Sequence, residues 1–302
     1  MTPGRRRPPV SANRLACVLV LAAVAWSYAT YIRLRLTRPE APDYAQATSY
    51  VRAGFQPGDL IDANPFWATR VREYLGDLAL ASFRDLGRED LTRYRRLWLF
   101  SLFGAEQRDP VRRALSEKAA LLDERRFGRI DVRLYEVRGH EPVRYDFRQQ
   151  LDRARVWMQV RGERRDCAAG EEGRWRCSAA PWNYVGRAIF ELADEPRAVI
   201  WAHPVNQATL TVEFEQVPFG QAITVAAGLT AEAARAGGAP VELAVEAAGR
   251  PVLRRSYGSD DRFLPERVDT RPLAGTVGRV TFSITTSDDR MRHFCFSAET
   301  RG

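Results

Sequence analysis

A chain of 302 residues with 45% hydrophobic and 28% charged side chains has ordinary globular composition, which excludes a disordered or fibrous protein. Its formal charge of +8 suggests a nucleic-acid partner until the charge is located: residues 1–38 hold Arg5, Arg6, Arg7, Arg14, Arg33, Arg35 and Arg38 and no acid. Removing those seven from the 46 bases leaves 39 against 38 acids, so the body is neutral and no nucleic-acid partner is expected.

The seven arginines bracket residues 15–32 (LACVLVLAAVAWSYATYI), an uncharged stretch of 18 residues. As a helix it is roughly 27 Å long, enough to cross a hydrocarbon core of about 30 Å. Trp26, Tyr28 and Tyr31 suit an interfacial aromatic belt. A transmembrane anchor at 15–32 behind a basic tail at 1–14 is therefore expected, in preference to a signal peptide cleaved after Ala23-Val24-Ala25. With four arginines before the segment and three after it, the positive-inside rule barely decides orientation. Cys167 and Cys177 add an argument: closing the short loop CAAGEEGRWRC as a disulfide suits an oxidising compartment. The expected placement is the cell membrane, single-pass, with the N-terminus inside and the body extracytoplasmic. Cys295 is left over as a free thiol or as the partner of one of the other two.

Residues 43–138 read as a small α/β domain. Asp43 is expected to cap a helix with Tyr44, Ala47 and Val51 on one face, ended by Gly54 and followed by Pro57-Gly58 and the apolar Leu60-Ile61. Asn64-Pro65 is expected to open a second helix bearing Trp67, Val71, Tyr74, Leu75 and Leu78. Residues 97–103 (LWLFSLF) read as a strand buried on both faces, and Asp109-Pro110 as the cap of a helix carrying Val111, Ala114, Leu115, Ala119 and Leu122. Ile130, Val132 and Leu134 alternate with polar residues as in a half-exposed strand. That order predicts a parallel sheet with right-handed crossovers, whose ligand edge would lie at Asp62, Asn64 and the loop 104–109. No G-x-G-x-x-G, G-x-x-x-x-G-K-[ST] or G-x-S-x-G accompanies it, so no catalytic residue is assigned there.

Residues 139–154 read as a linker. From 155 to 302 the period becomes two: Val156, Met158 and Val160; Leu210, Val212 and Phe214; Val241, Leu243 and Val245; Val280, Phe282 and Ile284. Turn signals at Pro218-Phe219-Gly220, Gly237-Gly238, Gly249 and Gly258 divide these runs into the strands of an antiparallel, jelly-roll-like β-sandwich. The whole is expected to be an α+β multidomain protein.

This second half, over residues 175–300, resembles the galactose-binding-like jelly-roll sandwiches. The resemblance lies in the segments RAVIWAHP (197–204), 209–217 leading into Pro218-Phe219-Gly220, AAGL (226–229) and RHFCF (292–296). It implies a carbohydrate-binding module on a surface or secreted protein. The first half is similar, more faintly, to the soluble region of lipid-linked-sugar glycosyltransferases. It departs from them in having one candidate span and none of the loops that carry their catalytic carboxylates.

Sugar recognition combines aromatic faces against the pyranose ring with polar groups on its hydroxyls. Trp182-Asn183-Tyr184 offers both in one turn-like stretch, and Trp201 and His203 share a strand face two residues apart. These five are the candidate ligand-binding residues, with the membrane and an envelope glycan or protein as expected partners. His140, His203 and His293 lack metal-ligand spacing, and no metal or cofactor is expected. The segments 259–262 and 287–290 (both SDDR) read as acidic turns. An accessory or enzymatic role in glycan assembly, acting through the Asp62 and Asn64 edge, is the alternative.

Overall fold

The computed structural model describes residues 12–65, 67–81, 86, 90–105, 109–170, 173–192, 195–259 and 263–302. The arginines at positions 5–7 lie outside the described residues. The first helix, α1 (Ala12–Thr37), is exposed along its described length and is long and apolar enough to cross a membrane. It is joined to α2 (Ala41–Gly54) by three residues whose middle member, Pro39, is buried. Glu40, not Asp43, caps α2. Asp43 occupies the third helical position and accepts the Glu40 backbone N–H at 3.0 Å, closing a capping box.

Tyr44, Ala47 and Val51 of α2 pack onto a sheet formed by β1 (Asp59–Asn64) and, after α3 (Arg70–Leu75), β2 (Arg96–Leu102). The sheet is completed, beyond α4 (Asp109–Lys118), by β3 (Ala119–Phe127) and β4 (Ile130–Val137). Its order is β1-β2-β4-β3. Trp98 and Phe100 of β2 face the α2 layer, while Leu97 and Leu99 face α4 through Val111 and Leu115, so β2 is buried on both faces as its unbroken apolar run predicts.

Two expectations fail here. The second helix starts at Thr69 rather than Asn64, and Trp67 is exposed instead of lining the core. The sheet is mixed: β1 and β2 are parallel, whereas β4 is antiparallel to both neighbours. Ala119 and Leu122 fit a helical stripe, but the chain reverses at Gly128 (φ 56°), which lets residues 119–127 pair with β4 as a hairpin. Paired in this way, the strand leaves Leu121 and Leu122 exposed.

Residues 139–154 are no linker. They include β5 (Val143–Asp146), and Phe147, Leu151 and Ala154 enter the main core. The sandwich continues through β6 (Arg155–Val160), β7 (Glu163–Asp166), β8 (Ala168–Ala169), β9 (Trp175–Arg176), β10 (Tyr184–Leu192) and β11 (Glu195–Ala202). Next come β12 (Ala208–Pro218), β13 (Ala222–Leu229), the short α5 (Ala231–Ala236) and β14 (Val241–Ala247). The chain closes with β15 (Arg250–Tyr257), β16 (Pro265–Asp269), β17 (Val277–Thr286) and β18 (Phe294–Arg301).

Among the described residues, one sheet runs β16-β13-β18-β11-β10-β9-β8, with β5 also on β18, and the other runs β15-β14-β17-β12-β6-β7. The period-two residues Leu210, Val212, Phe214, Leu243, Val245, Phe282 and Ile284 interdigitate with Ile223, Val225, Phe294 and Phe296 between the sheets. The two halves of the body meet through charge: Arg93 reaches Glu299 at 2.7 Å and Asp146 at 3.4 Å, and Arg301 reaches Asp90 at 2.8 Å. Burial raises the Glu299 carboxyl above its usual range, opposed by the Arg93 and Arg301 charges.

Candidate functional site

The face of the first sheet turned away from the inter-sheet core carries a second, smaller apolar cluster. Strand alternation creates it: Ile200 and Ala202 of β11 point inward, so Val199 and Trp201 point outward, where Cys295 of β18 and Leu192 of β10 meet them. Trp201 is only 5% exposed. Its indole is ringed by Phe190 (centroids 4.9 Å apart), His293 (5.2 Å), Tyr184 (5.7 Å) and His203 (5.7 Å). Above His203, at 4.5 Å, lies Trp182, whose side chain is 42% exposed. The result is one open aromatic face seated on a bed of immobilised rings.

Several restraints fix that face. Trp201 Nε1 donates to the Trp182 carbonyl at 3.2 Å, and the backbone N–H of Tyr184 donates to the same carbonyl at 3.1 Å. Cys167 and Cys177 form the expected disulfide, and the Cys177 N–H donates to the Asn183 carbonyl at 3.1 Å, tying the bridge to the turn that presents Trp182. The Arg174 guanidinium, from the same loop, lies 4.8 Å over the Tyr184 ring.

Four of the five candidate residues, Trp182, Tyr184, Trp201 and His203, thus come together in one stack. Asn183 does not join them at the surface. It is buried, and its amide donates to Ser178 Oγ at 3.1 Å and lies 3.8 Å from Met158 Sδ, so it shapes the turn from beneath. His293 and Arg174 join them without any local sequence pattern that marks them as members. His293 is distant in sequence, and only its place in the RHFCF segment points to it.

His203 places Nδ1 2.8 Å from the Pro204 carbonyl, which assigns the proton to Nδ1 and leaves Nε2 as an acceptor. Burial pushes its pKa below the ordinary value near 6.5, the Pro204 carbonyl opposing and the neighbouring His293 charge adding to the shift. The unfolded chain therefore takes up this proton before the folded one does. The part of the stability linked to His203 should be constant above about pH 6.5 and fall as the pH drops below it toward the folded pKa. Urea midpoints measured at pH 7.5 and 5.5 should differ more in the native chain than in His203→Gln, and equal differences would contradict a neutral, buried His203.

The alternative edge offers less. Asn64 Nδ2 donates to the Ala105 carbonyl at 3.2 Å, which holds the loop, and residues 106–108 of that loop lie outside the described residues. Among the described residues no group of three His, Cys, Asp or Glu side chains could hold a metal ion. Asp288 is paired with Arg290 at 2.9 Å within a turn, as expected of segment 287–290, while 260–262 lie outside the described residues.

No family model matches the chain, and no curated protein matches it. Solved structures do. One is the CBM51-2 and INT domains of Clostridium perfringens ZmpB, at 13% identity and a TM-score of 0.28, covering 38% of this chain and 26% of that one. Another is a CBM51 from Clostridium perfringens GH95 in complex with methyl-galactose, at 14% identity and a TM-score of 0.28, covering 38% of this chain and 81% of that one. A third is the tandem CBM51 modules of a family 98 glycoside hydrolase from Streptococcus pneumoniae, at 6% identity and a TM-score of 0.27, covering 48% of this chain and 35% of that one. The chain thus spans about a quarter of the length of the ZmpB structure. These comparisons do not show the glycosyltransferase likeness of residues 43–138. At such low TM-scores they name carbohydrate-binding modules without indicating what this chain binds, which has to be read from the site.

Proposed function

We propose that this chain is a membrane-anchored, extracytoplasmic binding protein that takes a glycan on the outer face of its first sheet. The observation that carries this reading is Trp182: a large indole left open on a rigid bed formed by His203, Trp201 and Tyr184. An apolar platform held in one rotamer loses little freedom when a pyranose face settles on it, so more of the stacking energy appears as affinity. Partly buried His293, whose Nδ1 lies 3.6 Å from Oε2 of the exposed Glu232, provides with it polar groups beside the platform for sugar hydroxyls. The Cys167–Cys177 bridge supports an oxidising compartment, and α1 supports an anchor.

The test is calorimetric titration of the full chain in detergent against mono- and oligosaccharides, methyl-galactose and N-acetylglucosamine among them. Trp182→Ala should weaken binding roughly tenfold or more, about 1.4 kcal/mol, without changing the melting temperature. A panel with no binder, or a binder indifferent to Trp182→Ala, would overturn the proposal.

A further inference from the structure

We propose that the α/β domain rests directly on the lipid surface, with Trp67 and Phe103 set among the headgroups. This proposal rests on α1 being a membrane anchor. The joint between α1 and the domain leaves almost no slack. Three residues separate the helices, Pro39 among them is buried, and Arg129 donates to the Arg38 carbonyl at 2.8 Å while pairing with Glu40 at 3.3 Å. The domain therefore meets the bilayer with a fixed edge.

Which edge that is follows from the sheet. A Cβ on Gly104 would lie 3.9 Å from the Thr37 methyl at the end of α1. Gly104 follows the last residues of β2, and parallel β1 ends beside it, Asn64 opposite Ser101. The β3–β4 turn reaches the same end, where Gly128 packs against Asp43. The carboxyl ends of the parallel strands, where a soluble α/β domain would hold its ligand, thus point to the membrane.

The side chains displayed there suit lipid. Trp67 is 55% exposed and stacks on Phe103 with centroids 5.3 Å apart and planes 28° from parallel. Phe103, half-buried against the α2 side of the core, sits at φ 59°, a left-handed conformation that a bulky residue rarely adopts. Arg33 and Arg35 near the end of α1, and Arg38 at the joint where Arg129 meets its carbonyl, bring positive charge to the α1 end of the domain, a composition suited to anionic headgroups.

The full chain, with Cys17→Ser, would be reconstituted into phosphatidylcholine–phosphatidylglycerol vesicles and labelled with a fluorophore at one introduced cysteine: Thr69→Cys beside Trp67, Trp26→Cys within α1, or Ile189→Cys on the sandwich. Ile189 is 73% exposed. A headgroup nitroxide should quench the label at 69 roughly twofold or more and leave 189 unaffected, while an acyl-chain nitroxide quenches 26. Adding Trp67→Ser should reduce the quenching at 69. Quenching at 26 without quenching at 69, equal quenching at 69 and 189, or indifference to Trp67→Ser would each overturn the proposal while leaving the anchor in place. Absence of quenching at 26 would instead remove the anchor, and the proposal with it.

Discussion

Arg292→Met should destabilise the sandwich by about 3–5 kcal/mol, because it strands several buried carbonyls at once. Arg292 is fully buried, and its guanidinium donates to the Ala233 and Ala239 carbonyls at 3.0 Å, to Arg290 at 3.1 Å and to Gly237. One side chain thus holds the end of α5, the Gly237-Gly238 turn and the approach to β18. Its burial, against a weaker attraction to Asp288, pulls its pKa below the usual arginine value, which reflects a cation enclosed mainly by dipoles. His293 is the next residue, so the aromatic bed should loosen as well. Guanidinium unfolding of the native and variant chains measures the loss, and a difference under about 1 kcal/mol would show that these contacts are replaceable. Arg292→Lys, which keeps the charge but not the fork, should recover only part of it.

The α/β domain has an equivalent dependence on Asp59. Its carboxylate is completely buried and accepts from Arg96 Nε at 2.9 Å and Nη2 at 2.6 Å, from Trp98 Nε1 at 2.9 Å and from the Gln56 N–H at 2.9 Å. Asp59→Ala leaves three donors unanswered, one of them a cation, and should cost about 3–5 kcal/mol. Because Arg96 also donates to the Gly54 carbonyl at 2.7 Å, the junction of α2 and β1 should fray first. Hydrogen exchange of the Leu60 and Ile61 amides should accelerate in the variant, while that of β12 and β17 stays unchanged. A uniform acceleration would instead mean that the two halves unfold together through the Arg93 and Arg301 ion pairs.

The sandwich was legible because its strands face water on one side and a core on the other, so their period shows in the residues themselves. The first domain was harder to read. Residues 119–127 satisfy a helical stripe through Ala119 and Leu122 as well as a strand, and only the reversal at Gly128 decides between them. Residues 139–154 looked like a linker because Tyr145, Phe147, Leu151 and Ala154 follow no single period; they are buried one by one from a short strand and a turn. At the site, Trp201 and His203 were legible from their spacing on one strand. The approach of Trp182 and His293 to them depends on pairings between β9, β10, β11 and β18 that no local pattern encodes.

Strand β18 lies in the interior of its sheet, bonded to β13, β11 and β5, yet it comprises residues 294–301. A nascent polypeptide must therefore keep β5 and the facing edges of β11 and β13 unpaired until nearly all of the sandwich has been synthesised. During that interval the chain presents open strand edges and a half-covered core, the features that proteases and holding chaperones recognise. A copy that stops short of residue 294 would lack Phe294 and Phe296 from the core and leave three strands, β5, β11 and β13, without their shared neighbour. Such a copy should be cleared rather than accumulate, so the late place of this strand in the chain order of the sandwich holds the sheet open until its neighbours are all present.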